Sequence, residues 1–248
     1  MSVETALTED SLLDGRIRLR QPAAGYRAAI DPVLLAAAAP AASGDLVADL
    51  GCGVASASLC LLRRVPEVRV LGLELQGDLA ALAQQNARLN GVEDRLSIVS
   101  GDVAAPPAAL AAGSFDQVMM NPPYLDPSAT RPVEDKARRI ATVEGEAGLA
   151  VWMDCAFALL RPRACLTLIH RCERLDEILA YLSADWGQVS VFPLWPHAGQ
   201  AAKRVIVQAR KGTGAGLRLL PGLVLHDADG AYTEAADAVL RAPGTLVL

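Results

Sequence analysis

No two of the five cysteines (Cys52, Cys60, Cys155, Cys165 and Cys172) form a CxxC pair, their number is odd, and most sit among apolar neighbours. A disulfide framework and a metal cluster are therefore both unexpected, and the cysteines read as small buried hydrophobes. His197 and His226 lack partners at ligand spacing, so no metal is expected. Long apolar runs are missing too. The longest small-apolar stretch, Val33 to Ala42, is broken by Pro40 and is too short to span a bilayer. The N-terminus MSVETALTED has no basic segment followed by an apolar one. These absences predict a soluble, cytoplasmic protein with no membrane partner. Internal repeats and low-complexity linkers are also lacking. With 52% hydrophobic residues over 248 positions, the chain can bury a sizeable core as one large domain.

Net positive charge is absent as well. At -5 the chain cannot hold nucleic acid by bulk electrostatics, because Lys and Arg contacts to phosphate supply most non-specific affinity. The distribution is uneven, however. GRIRLRQ places Arg16, Arg18 and Arg20 on one face of a strand-like alternation, with Ile17 and Leu19 on the other. No acidic residue occurs between Trp186 and His226, a span that holds Lys203, Arg204, Arg210, Lys211 and Arg218. Two solvated faces would account for this pattern, and so would a patchy cationic surface for a polyanionic substrate.

What the chain does contain is an alternation of strand and helix signals, the pattern of a parallel sheet with helices on both faces. DLVADLGCG is a short apolar run opening into glycines, followed by a helical stretch from Ser56 to Val65 that Pro66 stops. VRVLGLE is a second strand. DLAALAQQNARLNG has helical spacing, with Gly91 where a helix end wants positive φ. LSIV, SFDQVMM and ACLTLIH follow as strands, with a helix from about Gly145 to Leu160 before the last. QVSVFPLW and KRVIVQAR are joined by PHAGQAA, a connection short enough for an antiparallel hairpin. The expectation is a mostly parallel seven-stranded sheet with an antiparallel C-terminal hairpin. It divides into an N-terminal segment (1–43), a core (44–211) and a turn-rich appendix (212–248) with a short helix from Glu234 to Leu240.

The glycine turn carries the first chemical signal. Gly51 and Gly53 lie between a buried strand and a helix, where the backbone turns tightly and a ligand meets no Cβ. Asp49 precedes them, and Glu74 ends the next strand, where a carboxylate can accept both hydroxyl protons of a ribose. A dinucleotide fold also uses an acid there, but its third fingerprint position, Gly or Ala, is Ser56 in this chain. Asp102, in SGDV, and Asn121, after FDQVMM, end further strands. Ligands of open α/β sheets bind outside the carboxyl ends of the strands, so Asp49, Gly51, Gly53, Glu74, Asp102 and Asn121 should converge on one crevice.

DLGCG, the strand-end Glu74, GD at Gly101 and Asp102, and NPPY at Asn121 to Tyr124 resemble the ordered motifs of the class I methyltransferases that use S-adenosylmethionine. With QPAAGYRAAIDPVLLAAA, LRPRACLTLIHR and FPLWPHAGQAAKRVIVQARKG, the chain resembles the bacterial tRNA (adenine-N6) methyltransferase family that modifies the anticodon loop of a valine tRNA. The resemblance runs from about Asp14 to Leu240. It departs at Ala55, where many relatives have glycine; the extra methyl is expected to change affinity, not identity. The resemblance implies a Rossmann-like fold, S-adenosylmethionine as cofactor, an RNA partner, most readily tRNA, and a monomer or homodimer. It implies that Asp49 orients the turn and meets the methionine amino group, and that Gly51 and Gly53 let the backbone reach the cofactor. Glu74 would hold the ribose, and Asp102 with Val103 the adenine. Tyr26, Arg27 and Asp31 would close the N-terminal side of the pocket.

The same residues explain the chemistry of NPPY. The exocyclic amine of adenine has its lone pair delocalised into the ring, so acceptors that hold its protons favour the more tetrahedral, positively charged nitrogen of the transition state. Asn121 Oδ1 and the Pro122 carbonyl are the expected acceptors, and Tyr124 offers a stacking face. Proline after Asn121 stiffens the segment in an extended form. A glutamine side-chain amide poses the same problem, so a protein glutamine N-methyltransferase is the alternative; a non-catalytic RNA-binding relative is another. Arg16, Arg18, Lys203 and Arg204 are the expected RNA contacts. Arg138 and Arg139 are weaker candidates for phosphates, and His170 reads as a satisfied strand-end residue.

Overall fold

The computed structural model of the chain describes residues 6–24, 30–123 and 148–248. Strands β1 (Leu7–Leu12) and β2 (Ile17–Pro22) form an antiparallel hairpin. The alternation of GRIRLRQ holds: Ile17 and Leu19 are buried while Arg18 and Arg20 face out. Helix α1 (Ile30–Ala38) leads to β3 (Leu46–Leu50), α2 (Ser56–Arg64), β4 (Arg69–Glu74), α3 (Gly77–Leu89), β5 (Leu96–Ser100) and β6 (Phe115–Met120). Then come α4 (Leu149–Leu159), β7 (Leu160–Arg171), α5 (Leu175–Leu182), β8 (Trp186–His197), β9 (Arg204–Lys211), β10 (Arg218–Leu219), β11 (Leu223–His226) and α6 (Glu234–Arg241).

The strands from β3 onward make one nine-stranded sheet in the order β10-β8-β9-β7-β6-β3-β4-β5, with β11 also on β8. Neighbours among β3 to β7 run parallel, as the crossover helices require. Strand β9 alone is reversed, antiparallel to both β7 and β8, which is the expected hairpin. The seven expected strands are all present; β10 and β11 extend the sheet beyond β8, both parallel to it. Both faces are covered. Leu34, Leu35, Leu59, Leu61 and Ala83, from α1 to α3, pack on one side, and Met153, Leu159 and Ile178, from α4 and α5, on the other. Double coverage explains why β3 reads as a nearly unbroken apolar run and why even Gln117 of β6 is buried.

Sequence order reverses between β3 and β6. From β3 the chain builds outward through β4 and β5, then returns to start β6 on the other side. That seam is the topological switch point of an open α/β sheet, where a crevice opens at the carboxyl ends. The appendix closes on the core: Arg64 donates to the carbonyls of Val239 (2.9 Å), Ala242 (3.3 Å) and Gly244, and Leu246 N–H donates to Ala37 O at 2.7 Å. Among the described residues no helix is long and apolar enough to cross a membrane, and no cluster of side chains could hold a metal ion.

Candidate active site

At the end of β3 the backbone takes positive φ three times within five residues, at Gly51 (66°), Gly53 (57°) and Ala55 (68°). The glycines are used differently. A Cβ on Gly51 would lie 2.5 Å from Cη2 of Trp152, so the indole of α4 fills the notch that glycine leaves. A Cβ on Gly53 would meet nothing within 4 Å, so the open approach belongs to Gly53. Ala55 is buried at the N-terminus of α2 in the left-handed region, which costs an L-residue about 1–2 kcal/mol and accounts for the expected glycine.

Two acids support the turn. Glu74 is 6% exposed; its Oε2 accepts the Gly53 N–H at 2.8 Å and its Oε1 the Gln76 N–H at 2.9 Å. Burial pushes its carboxyl above the ordinary value against those two N–H groups. Each oxygen retains a lone pair for a further donor. Asp49 is turned the other way, onto α2, where it accepts from Ser58 Oγ at 2.5 Å. Burial raises its carboxyl to about 7, opposed by Ser58 and assisted by the charge of Glu74. The carboxylate itself faces the helix.

Strand register sets the rest. Leu50 is level with Leu73 of β4 and with Met120 of β6, so Gly51, Glu74 and Asn121 stand side by side on adjacent strands, about 4.8 Å per step. Beyond Glu74, Gly101 N–H donates to the Glu74 carbonyl at 3.0 Å. Asp102 follows; its Oδ1 accepts the Ala104 N–H at 2.9 Å, with Val103 buried beside it. Asp49, Gly51, Gly53, Glu74, Asp102, Val103, Asn121 and Pro122 thus gather at one edge of β6-β3-β4-β5. Leu75, at 59% exposure beside Glu74, is an apolar side chain at this edge that sequence reasoning missed. Its signal was an apolar residue directly after the strand-end acid. Tyr26, Arg27, Tyr124, Arg138 and Arg139 lie outside the described residues.

Asn121 is half-buried and Pro122 buried where β6 ends. His170 is fully buried at the end of β7, close to the Pro123 carbonyl, which favours its protonated form. Burial and the nearby Arg174 lower its pKa to about 4, so the ring is neutral at working pH.

Asp31 differs from expectation. It pairs with Arg204 at 3.2 Å, at the start of β9, which β6 and β7 separate from the glycine turn. A short acid in the first turn of α1 meets the guanidinium nearest it, and α1 packs over β7. Arg16 and Arg18, also expected RNA contacts, have partners too. Arg18 donates twice to Glu9 Oε1, at 2.9 and 2.7 Å, and Arg20 donates to Glu9 Oε2 at 3.2 Å across the hairpin. Arg16 donates to the carbonyls of Leu13 (3.0 Å) and Arg241 (2.9 Å). Lys203 is exposed at the reaction edge. A cavity of about 390 Å³ lined by Phe157, Pro162, Asp185 and Lys211 lies at the opposite edge, away from these groups.

The residues fit an S-adenosylmethionine molecule: an open backbone at Gly53, a ribose-type carboxylate at Glu74, an apolar Leu75, and acids suited to a cationic ligand. The fold is Rossmann-like, and comparison with known proteins makes the chain an S-adenosylmethionine-dependent N-methyltransferase. Residues 29–141 match the family model described as methyltransferase small domain. A tRNA1(Val) (adenine(37)-N6)-methyltransferase of Porphyromonas gingivalis is 31% identical over 230 residues, 88% of each chain. A release factor glutamine methyltransferase of Nitratidesulfovibrio vulgaris is 33% identical over 154 residues, 58% of this chain and 51% of that one. In fold, the crystal structure of a predicted O-methyltransferase from Agrobacterium tumefaciens matches 88% of this chain and 99% of its own at TM-score 0.74 and 24% identity. The chain belongs to the methyltransferase family that contains the tRNA1(Val) (adenine(37)-N6)-methyltransferases.

Proposed function

We propose that the protein methylates the exocyclic amino group of an adenine in RNA, most readily in a tRNA loop. The observation that carries this reading is the register that sets Asn121 and Pro122 beside Gly51 and Glu74. Bound S-adenosylmethionine supplies a methyl carbon made electrophilic by its sulfonium leaving group. Gly53 and Glu74 would hold its nucleoside end, and Asp102 with Val103 and Leu75 would hold its base. Asn121 Oδ1 and the Pro122 carbonyl would accept the two amino protons of adenine, stabilising the positive charge that develops on the nitrogen. The proton then leaves to water, since a methylated, cationic amine is acidic enough to need no dedicated base. Placing amine and methyl in line contributes up to about 7–11 kcal/mol in well-oriented reactions. His170, neutral and buried beside Pro123, lines the back of the proline exit.

RNA is favoured over a protein amide by extent of likeness. The Porphyromonas gingivalis relative named for adenine in tRNA aligns over 88% of both chains, whereas the glutamine methyltransferase aligns over about half its own length. An unpaired loop base is also easier to present than a stacked duplex base. Incubation with bulk tRNA and labelled cofactor, followed by mass spectrometry of nucleosides, should reveal N6-methyladenosine. Asn121→Ala should lower kcat by about 100-fold or more while cofactor affinity stays within a few fold. Label in glutamine of a protein substrate, with tRNA untouched, would favour the alternative; normal turnover in the variant would refute the role of Asn121.

A further inference from the structure

Two asparagines one turn apart, Asn86 in helix α3 and Asn90 at its C-cap, both face the edge of β2. Asn86 is fully buried. Its Oδ1 accepts the Arg20 N–H at 2.8 Å, and its Nδ2 donates to the Arg20 carbonyl at 2.9 Å and to the Val54 carbonyl at 3.0 Å. Asn90 repeats the pattern two residues along the strand: Oδ1 accepts the Arg18 N–H at 2.9 Å, and Nδ2 donates to the Arg18 carbonyl at 2.7 Å. Its remaining N–H donates to the Asn86 carbonyl on its own helix, at 2.8 Å. Main-chain groups two residues apart point to the same side of a strand, so the two amides replace the neighbouring strand that β2 lacks there.

The two amides differ in where the last N–H goes. Asn90 returns it to α3. Asn86 sends it to Val54, which lies between Gly53, whose N–H is held by Glu74, and Ala55, where α2 begins. A continuous line of hydrogen bonds therefore runs from the β2 backbone through one buried side chain to the turn, which adjoins the Glu74 carboxylate. A buried amide whose donors and acceptor are all used has little freedom to shift, and an unmet partner left behind would cost more than the bond is worth.

We propose that Asn86 is a positioning residue that couples docking of the β1–β2 hairpin to cofactor binding. This rests on the assignment of the Gly53–Glu74 turn to S-adenosylmethionine. Coupling of this kind is reciprocal: a cofactor that fixes the turn tightens the hairpin, and a docked hairpin strengthens cofactor binding by the same factor. Asn90 holds the same hairpin without touching the turn, so it separates coupling from mere support.

Wild type, Asn86→Ala and Asn90→Ala are compared by isothermal titration with S-adenosylmethionine and by amide hydrogen exchange. In wild type the cofactor should slow exchange at the Arg18 and Arg20 amides. Asn86→Ala should weaken cofactor binding by about tenfold and abolish that slowing. Asn90→Ala should speed exchange at Arg18 in the free protein but keep affinity within about threefold. Equal affinity in Asn86→Ala and wild type would overturn the coupling. Should that variant not fold, the wild-type exchange data decide alone, and unchanged rates at Arg18 and Arg20 on cofactor addition would overturn it. A wild type that binds no cofactor would remove the site assignment, and the coupling with it.

Discussion

The acid at the end of β3 shows how much a single side chain's direction matters. Its place, two residues before Gly51, was legible because a strand-end acid before glycines is a pattern of residue types. Its rotamer was not, since the choice between crevice and helix depends on Ser58, nine positions away. With its carboxyl raised from 3.8 to about 7 by burial, Asp49 in the folded state holds a proton that the unfolded chain has already lost. Its contribution is full below pH 3.8 and is lost as pH rises through 7, an effect on the order of 4 kcal/mol. Asp49→Asn keeps an acceptor for Ser58 but never ionises. It should therefore unfold at higher urea than wild type at pH 8, with the advantage shrinking steadily toward pH 4; a constant difference across that range would reject the buried charge. His170 works in the opposite sense, its depressed value taking stability away as pH falls from 6.5 toward 4.

Elements were legible in proportion to their length and burial. The strands of the central sheet declared themselves as short, mainly apolar stretches between turn residues. Strand β1, LTEDSL, did not, because it is only half-covered and every second residue faces out. Strands β10 and β11, of two and four residues, are too short for any period to show, and their place follows only from pairing with β8. Helix α5 has eight residues and an amphipathic pattern that sequence reasoning passed over. The link between α2 and the appendix is likewise invisible in sequence, since Arg64 and its acceptor carbonyls lie some 175 to 180 positions apart. Arg64→Ala should cost about 2–3 kcal/mol, as expected for charge-assisted bonds partly shielded from water. Limited proteolysis should then cut after α6 well before the core; equal digestion of both proteins would show that the appendix holds without this side chain.

At the scale of the molecule, the acid-free span from Trp186 to His226 is not one cationic face. Strand β9 carries Lys203 and Arg204 to the reaction edge and Arg210 and Lys211 to the other, about 20 Å away at roughly 3.3 Å per residue. Lys211 there donates to the Phe157 and Leu160 carbonyls at 2.6 and 2.8 Å, anchoring α4 and β7. Replacing Lys203 and Arg204 together with alanine should weaken RNA binding and flatten its dependence on salt by about 1.4 in log–log slope, near 0.7 for each lost phosphate contact. Arg210→Ala should leave that slope unchanged. A slope unaffected by the double change would take the reaction edge out of RNA recognition.

Because β9 is the lone backward strand, β8, β10 and β11 finish on the same rim as β3 to β7. Growth of the sheet past β8 has thus widened the catalytic shoreline without adding new walls behind it. Changes along that rim should redirect which nucleic acid is handled, whereas drift along the far one should be felt chiefly as melting temperature.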